Sequence, residues 1–109
     1  MDSTEITKLK HVLKSHPNRI PIIIMTTPNF SRYFKLIKHK YLVMGQTTVG
    51  YFMFQLKRIN NIKTDQAIYM YHFDTLLNSS DTFENLKNKY VSDKEITLMI
   101  KVDCENAFG

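Results

Sequence analysis

Apolar residues recur every three or four positions at the start of the chain. Ile6, Leu9, Val12 and Leu13 fall on one side of a helix read over Thr4–Ser15. Asp2, with Glu5 three residues on, resembles a capping box at its N-terminus. His16-Pro17 closes the helix, because the residue before a proline is driven out of the α region. The period then changes. Ile20–Thr26 carries three consecutive Ile, β-branched and unfavourable in an exposed helix, and predicts a strand. Pro21 fits there only where its missing N–H faces away from a ladder or lies at a sheet end. Pro28–Lys38 reads as a loop that admits a short helix, and Lys40–Met44, closed by Gly45, as a second strand. The connection is too short for a crossover helix, so the two strands are expected to run antiparallel.

Thr47-Thr48 caps a strongly amphipathic helix, with Val49, Phe52, Leu56 and Ile59 on one face and Asn60-Asn61 at its end. Ala67–Phe73 alternates as a third strand, with Ile68, Met70 and His72 on one side and Tyr69, Tyr71 and Phe73 on the other. Asp81, with Glu84 three residues on, opens a short helix whose inner face is Phe83, Leu86 and Tyr90. Ile96–Val102 is the last strand. The expected architecture is α+β: a four-stranded mixed sheet crossed by a central helix, with a short N-terminal helical extension over residues 1–16. After that extension, the order strand–strand–helix–strand–helix–strand is the β-grasp order of ubiquitin.

With 109 residues the chain is expected to form one domain, and 43% hydrophobic content with seven Phe and six Tyr is material for one core. The acidic, polar start lacks the pattern of a secretory signal. Apolar runs such as Ile22-Ile23-Ile24-Met25 are strand-sized and far below the ~18 residues of a membrane span, so a cytoplasmic location is expected. The single cysteine, Cys104, excludes an internal disulfide and has no legible His–acid arrangement to activate it. His11, His16, His39 and His72 lack ligand spacing, so no metal and no cofactor is expected.

Charge adds an asymmetry. Residues 1–63 carry eleven Lys/Arg against Asp2 and Glu5, whereas residues 64–109 carry four Lys against eight acids. The basic half suits an acidic partner, an anionic membrane or nucleic acid. The basic, aromatic stretch Phe30–Lys40 reads alternatively as a nucleic-acid strip, but no known binding module surrounds it, and no nucleic-acid partner is expected. The scarcest placement is Gly109, one of three glycines and the last residue given. A C-terminal glycine carboxylate has no Cβ beside it and can enter a narrow site to be activated and passed to an amine.

Three segments extend these observations. His16-Pro17-Asn18-Arg19-Ile20-Pro21-Ile22-Ile23-Ile24, then Lys40-Tyr41-Leu42-Val43-Met44 with Thr48-Val49-Gly50-Tyr51-Phe52, then Glu105-Asn106-Ala107-Phe108-Gly109 stand in register. Together they resemble the GABARAP and light-chain-three family of ubiquitin-like autophagy modifiers, across residues 8 to 109, as a divergent member. The resemblance implies a protein that is not an enzyme but a substrate, joined through Gly109 to the amine of phosphatidylethanolamine, with Phe108 guiding the tail (residues 103–109). Activating and conjugating enzymes would attach it, and a cysteine protease would process and release it, leaving a cytoplasmic pool and a lipid-anchored pool on autophagosomal or related vesicles. It also implies capture of partners bearing an aromatic-x-x-aliphatic motif, added as a strand beside the second strand. Val12, Pro21, Ile23, Lys40 and Leu42 would line the aromatic pocket, and Tyr41, Val43, Met44 and Phe52 the aliphatic one. Lys8, Lys10, Lys38 and Lys40 would meet the acidic flank of such a peptide.

Departures mark this chain within the resemblance. Lys8 stands where the family usually has an acid, Thr97 where it has a pocket-closing aromatic, Met44 where it has proline, and Thr47 and Gln55 where it has apolar residues. The first of two N-terminal helices is expected to be missing. From the residues alone, each pocket position reads more readily as a core or edge residue. Two alternative functions stay open: a modifier attached to protein lysines, and a small basic nucleic-acid-binding domain.

Overall fold

The computed structural model describes residues 2–105. Helix α1 spans Ser3–Ser15, and the Asp2 carboxylate accepts the Glu5 N–H at 2.8 Å, as the capping pattern requires. Strand β1 (Arg19–Thr26) leads into α2 (Pro28–Tyr33), where Thr27 caps and Pro28 occupies the first turn, whose N–H needs no partner. Strand β2 (Lys40–Met44) returns antiparallel to β1 and ends at Gly45. Helix α3 (Val49–Ile59) begins at Thr48, whose hydroxyl accepts the Tyr51 N–H. Strand β3 (Ile68–His72), the two-residue β4 (Thr75–Leu76), α4 (Phe83–Tyr90) and β5 (Leu98–Cys104) complete the chain.

The sheet runs β2-β1-β5-β3-β4. Its central pair, β1 and β5, is parallel, and every other pairing is antiparallel, giving the mixed β-grasp sheet. Five strands replace the four expected. The added β4 pairs Thr75 and Leu76 with His72 and Tyr71, across a turn in which Phe73 takes φ 51°. No glycine marks that turn, and two residues are too few to show a period. Phe73 is consequently an exposed turn residue, not the end of a strand.

Two boundaries also move. Strand β5 begins at Leu98, not Ile96, and continues to Cys104. Asp103 and Cys104 thus belong to the sheet, and the tail starts at Glu105. The α4 cap is Thr82, which accepts the Asn85 N–H, not Asp81. The Asp81 carbonyl is engaged by the Val49 N–H, fastening the segment before α4 to the start of α3.

Alternation along the strands explains the core. Ile20, Ile22 and Ile24 of β1, Met70 of β3, and Leu98, Ile100 and Val102 of β5 face one side of the sheet, where α3 lays Val49, Phe52 and Leu56 across them. Phe52 is the hub: its ring meets Tyr41 edge-on at 5.2 Å and Phe83 of α4 at 5.3 Å. Deleting it leaves a cavity that these aromatics cannot fill by rotation. Phe52→Ala is expected to lower stability by about 3–5 kcal/mol in urea unfolding, and a cost near 1 kcal/mol would contradict the packing described.

Candidate functional site

Strand β2 is the open edge of the sheet, and its residues divide by alternation. Tyr41 and Val43 turn into the core, while Lys40, Leu42 and Met44 face the opposite side and are exposed. Its backbone divides the same way. The Ile24 N–H bonds the His39 carbonyl at 2.8 Å and the Gly45 N–H bonds the Asn18 carbonyl at 2.9 Å. In an antiparallel ladder bonded pairs alternate, so Tyr41 and Val43 bond inward, while the N–H and C=O of Lys40, Leu42 and Met44 point out from the edge. Pro21 lies opposite Leu42, in a pair that needs no N–H from it, and precedes Ile22, where pairing with β5 begins. That register explains how a proline sits in a central strand.

Beside this edge α1 leans over the outer face of the sheet and leaves a groove of about 440 Å³. Val12 from α1, Pro21 and Ile23 from β1, and Lys40 and Leu42 from β2 line it together. These are the five residues named for the aromatic pocket. Thr97 also lines it, on the approach to β5, so the groove lacks an aromatic wall at that point. Glu5 and Leu9 line it too and were not foreseen. They stand seven and three positions before Val12, on the same helical face, and that spacing is the signal that identifies them.

The four residues named for the aliphatic pocket do not form one surface. Met44 is 40% exposed, whereas Tyr41 and Val43 face the core and Phe52 is 2% exposed. Tyr41 donates its hydroxyl to the Lys38 carbonyl at 2.8 Å, and burial pushes its phenol above the ordinary range. Phe52, clasped by Tyr41 and Phe83, supports β2 from beneath and presents no face to solvent. The resemblance put Phe52 in the aliphatic pocket, whereas the helical period puts it on the apolar face of α3, and the structure buries it there.

Lys8, Lys38 and Lys40 make the groove mouth cationic, with Glu5 the acid among its lining residues. Lys40 Nζ lies 2.8 Å from Glu5 Oε2, and both side chains remain solvated. Such a pair contributes about 0–1 kcal/mol, so an incoming carboxylate displaces it easily. No residue of α1 is buried, and the helix edge of the groove is held by few contacts.

At the far end of the sheet, β5 is tied to the start of α2. Asp103 Oδ1 accepts the Thr27 hydroxyl at 2.7 Å, the Asn29 amide at 3.2 Å and the Cys104 N–H at 2.8 Å. Asn29 also donates to the Cys104 carbonyl at 2.8 Å. The Thr27 hydroxyl is the main reason the Asp103 carboxyl titrates below its usual range. Burial pushes the Cys104 thiol up and the Asp103 charge adds to it, which leaves a poor nucleophile. Tyr69 donates to Glu105 Oε1 at 2.7 Å. Phe108 and Gly109 lie outside the described residues.

The family model described as "Autophagy protein Atg8 ubiquitin like" matches residues 4–109. The chain belongs to the Atg8 family. Autophagy-related protein 8 of Kluyveromyces lactis is 28% identical over 100 residues, spanning 92% of this chain and 79% of that protein. Among solved structures, Trypanosoma brucei ATG8 superposes with a TM-score of 0.79 at 30% identity, covering 94% of this chain and 87% of that one. Plasmodium falciparum Atg8, solved in complex with a P. falciparum Atg3 peptide, superposes at 0.75 with 19% identity, covering 94% and 89%, and shares the fold. This Atg8-family chain is a ubiquitin-like autophagy protein, not an enzyme.

Proposed function

We propose that this chain is conjugated through Gly109 to the amine of phosphatidylethanolamine and then tethers motif-bearing cargo receptors and adaptors to autophagosomal membranes. The observation that carries the tethering half is the groove beside an open strand edge, with Leu42 turning its side chain into the groove and its N–H and C=O outward. An extended peptide laid along β2 gains ladder hydrogen bonds from the edge and seats an aromatic side chain among Val12, Pro21, Ile23 and Leu42. Filling such a pocket is worth about 1.5–3 kcal/mol. With the ladder and a second anchor near Met44, the total suits a micromolar interaction of roughly 8 kcal/mol. Acidic residues ahead of the aromatic meet Lys8, Lys38 and Lys40.

The anchoring half rests on family membership over residues 4–109, which includes the Phe108-Gly109 end. A diacyl lipid adds two buried chains at about 0.8 kcal/mol per CH₂, enough for stable attachment where one short acyl chain gives only marginal binding. The same enzymes that activate and carry the glycine would dock on this domain. The Plasmodium relative was solved with an Atg3 peptide, which supports a segment of the conjugation machinery as a partner. A cysteine protease would hydrolyse the glycine–lipid amide and return the protein to the cytoplasm.

Mass spectrometry of the membrane-associated protein tests the proposal: the expected product carries phosphatidylethanolamine on Gly109. A membrane pool whose Gly109 carboxylate is free would refute it. High-molecular-weight adducts linked to lysine would instead identify a protein modifier.

A further inference from the structure

Resting on the reading of the groove as a motif pocket, we infer that a second copy of this chain is one of its ligands, docked head-to-tail through Phe73 and Leu76. At the opposite edge of its sheet the chain carries the kind of segment that the groove is proposed to take. Phe73-Asp74-Thr75-Leu76 sets an aromatic and an aliphatic residue three positions apart, with an acid beside the aromatic. Both are offered to solvent: Phe73 is 70% exposed and Leu76 57%. The same spacing recurs at Tyr33/Leu36, Phe34/Ile37 and Phe83/Leu86, but Leu36, Phe83 and Leu86 are buried and Phe34 packs against the core.

The conformation of the segment is unfavourable for a lone domain. Phe73 takes φ 51° in a two-residue hairpin turn, where glycine or asparagine is the favoured occupant. Its ring leans on His72, with centroids 4.7 Å apart, and is otherwise left largely to water. Neither the backbone nor the core gains from a phenylalanine here, and its ring is placed for a partner. Strand β4 is also an open edge. The Leu77 N–H bonds the Met70 carbonyl at 2.9 Å, and Leu76 pairs with Tyr71. By alternation, the N–H and C=O of Leu76 point out from the sheet, as those of Leu42 do at the β2 edge. Laying β4 of one copy beside β2 of the next continues the sheet and brings Phe73 to the space among Val12, Pro21, Ile23 and Leu42. Phe73 enters from the turn as a side chain alone, so Leu76 supplies the ladder bonds and the contact is weaker than that of a free peptide.

Charge favours this pairing over a symmetric one. Asp74 arrives at a mouth formed by Lys8, Lys38 and Lys40. Residues 64–109 carry four Lys against eight acids, the complement of the basic first half. Pairing two β2 edges would instead set Lys40 against Lys40. The groove and the hairpin lie at opposite edges of one sheet, so the contact is heterologous: each docked copy leaves a groove free at one end and a hairpin at the other, and assembly runs on. A docked copy also shuts cargo motifs out of that groove wherever copies are crowded.

Sedimentation of the full chain from micromolar to near-millimolar concentration tests the inference with two variants. Phe73→Asn removes the ring and suits the positive φ, while Leu42→Arg fills the groove. The wild-type average mass is expected to rise with concentration beyond that of a dimer. Each variant alone should associate at least about tenfold more weakly. Mixed in equal amounts, the two should form a dimer and nothing larger, because an intact groove meets an intact hairpin only once. A wild-type protein that stays monomeric, variants that associate as it does, or a mixture that stays monomeric would each overturn head-to-tail docking. Calorimetry with an acid-flanked aromatic-x-x-aliphatic peptide keeps the two readings apart. Peptide binding by a strictly monomeric protein sinks the self-docking alone. If no peptide binds, the motif reading of the groove fails, and the mixing experiment still decides whether the copies dock.

Discussion

Replacing Gly109 with alanine is expected to empty the membrane-bound pool while leaving the folded domain and its groove unchanged. Among the described residues the core ends at Cys104, and Gly109 has no side chain to bury, so the unfolding midpoint should not move. The chemistry is where the methyl matters. In the proposed conjugation, activation of the carboxylate, transfer to a carrier cysteine and aminolysis by the lipid would each pass this glycine through an enzyme site shaped for a residue without Cβ. Forcing one extra methyl group into a close-packed site costs about 1–3 kcal/mol, or about five- to 150-fold. The penalties multiply over successive steps, so the net loss should exceed two orders of magnitude. Membrane flotation followed by immunoblotting measures it. A Gly109→Ala protein that floats like the wild type would remove conjugation through this glycine from consideration.

The elements legible in the sequence are those with a long period and their own stop signals. Helix α3 was readable from Thr48 to Asn60 because Val49, Phe52 and Leu56 repeat on one face between a cap and an Asn pair. Strands β1 and β2 were readable because β-branched residues follow a proline break and a glycine follows Met44. What escaped depends on tertiary partners. Strand β4 exists because Tyr71 and His72 offer an edge, and no local feature of Thr75-Leu76 announces it. Strand β5 runs on to Cys104 because β3 pairs Tyr69 with Asp103 and Ile68 with Cys104, while Thr27 and Asn29, more than seventy positions away, satisfy the Asp103 carboxylate. A charged residue at the end of an apolar run reads as loop until its partners are known.

The site divides along the same line. Val12, Pro21, Ile23, Lys40 and Leu42 come together along one groove, each on a regular element whose period sets its face. The resemblance assigned Tyr41, Val43 and Phe52 to the aliphatic pocket, but the alternation of β2 sends Tyr41 and Val43 inward and Phe52 is buried beneath them. Applied to Lys40–Met44, period-two alternation alone separates those two from Leu42 and Met44. The groove also stands apart from the tail. It touches Thr97 at the start of β5, while the tail leaves from Cys104. At ~3.3 Å per residue, the strand between them spans about 20 Å. The groove and the last described residues of β5 therefore lie at opposite ends of one strand.

Leu42→Arg is the variant that tests the groove most sharply. Leu42 is 39% exposed on an edge strand, so the longer side chain reaches solvent without disturbing the core, and stability should change by no more than about 0.5 kcal/mol. Binding should respond differently. The guanidinium takes the space between Pro21 and Val12 that an incoming aromatic ring would fill, and the pocket contribution of about 1.5–3 kcal/mol is lost. One effect opposes this: the new cation attracts the acidic flank of the peptide. In a solvated setting that attraction is worth about 0–1 kcal/mol, and Lys8, Lys38 and Lys40 already supply it. The pocket term wins, leaving an affinity about ten- to 100-fold weaker, at or beyond the limit of detection for a micromolar ligand. Titration calorimetry with an acid-flanked aromatic-x-x-aliphatic peptide reads the difference, with circular dichroism confirming the fold. Undiminished affinity would place the peptide elsewhere on the molecule and leave the open edge of β2 without a role in capture.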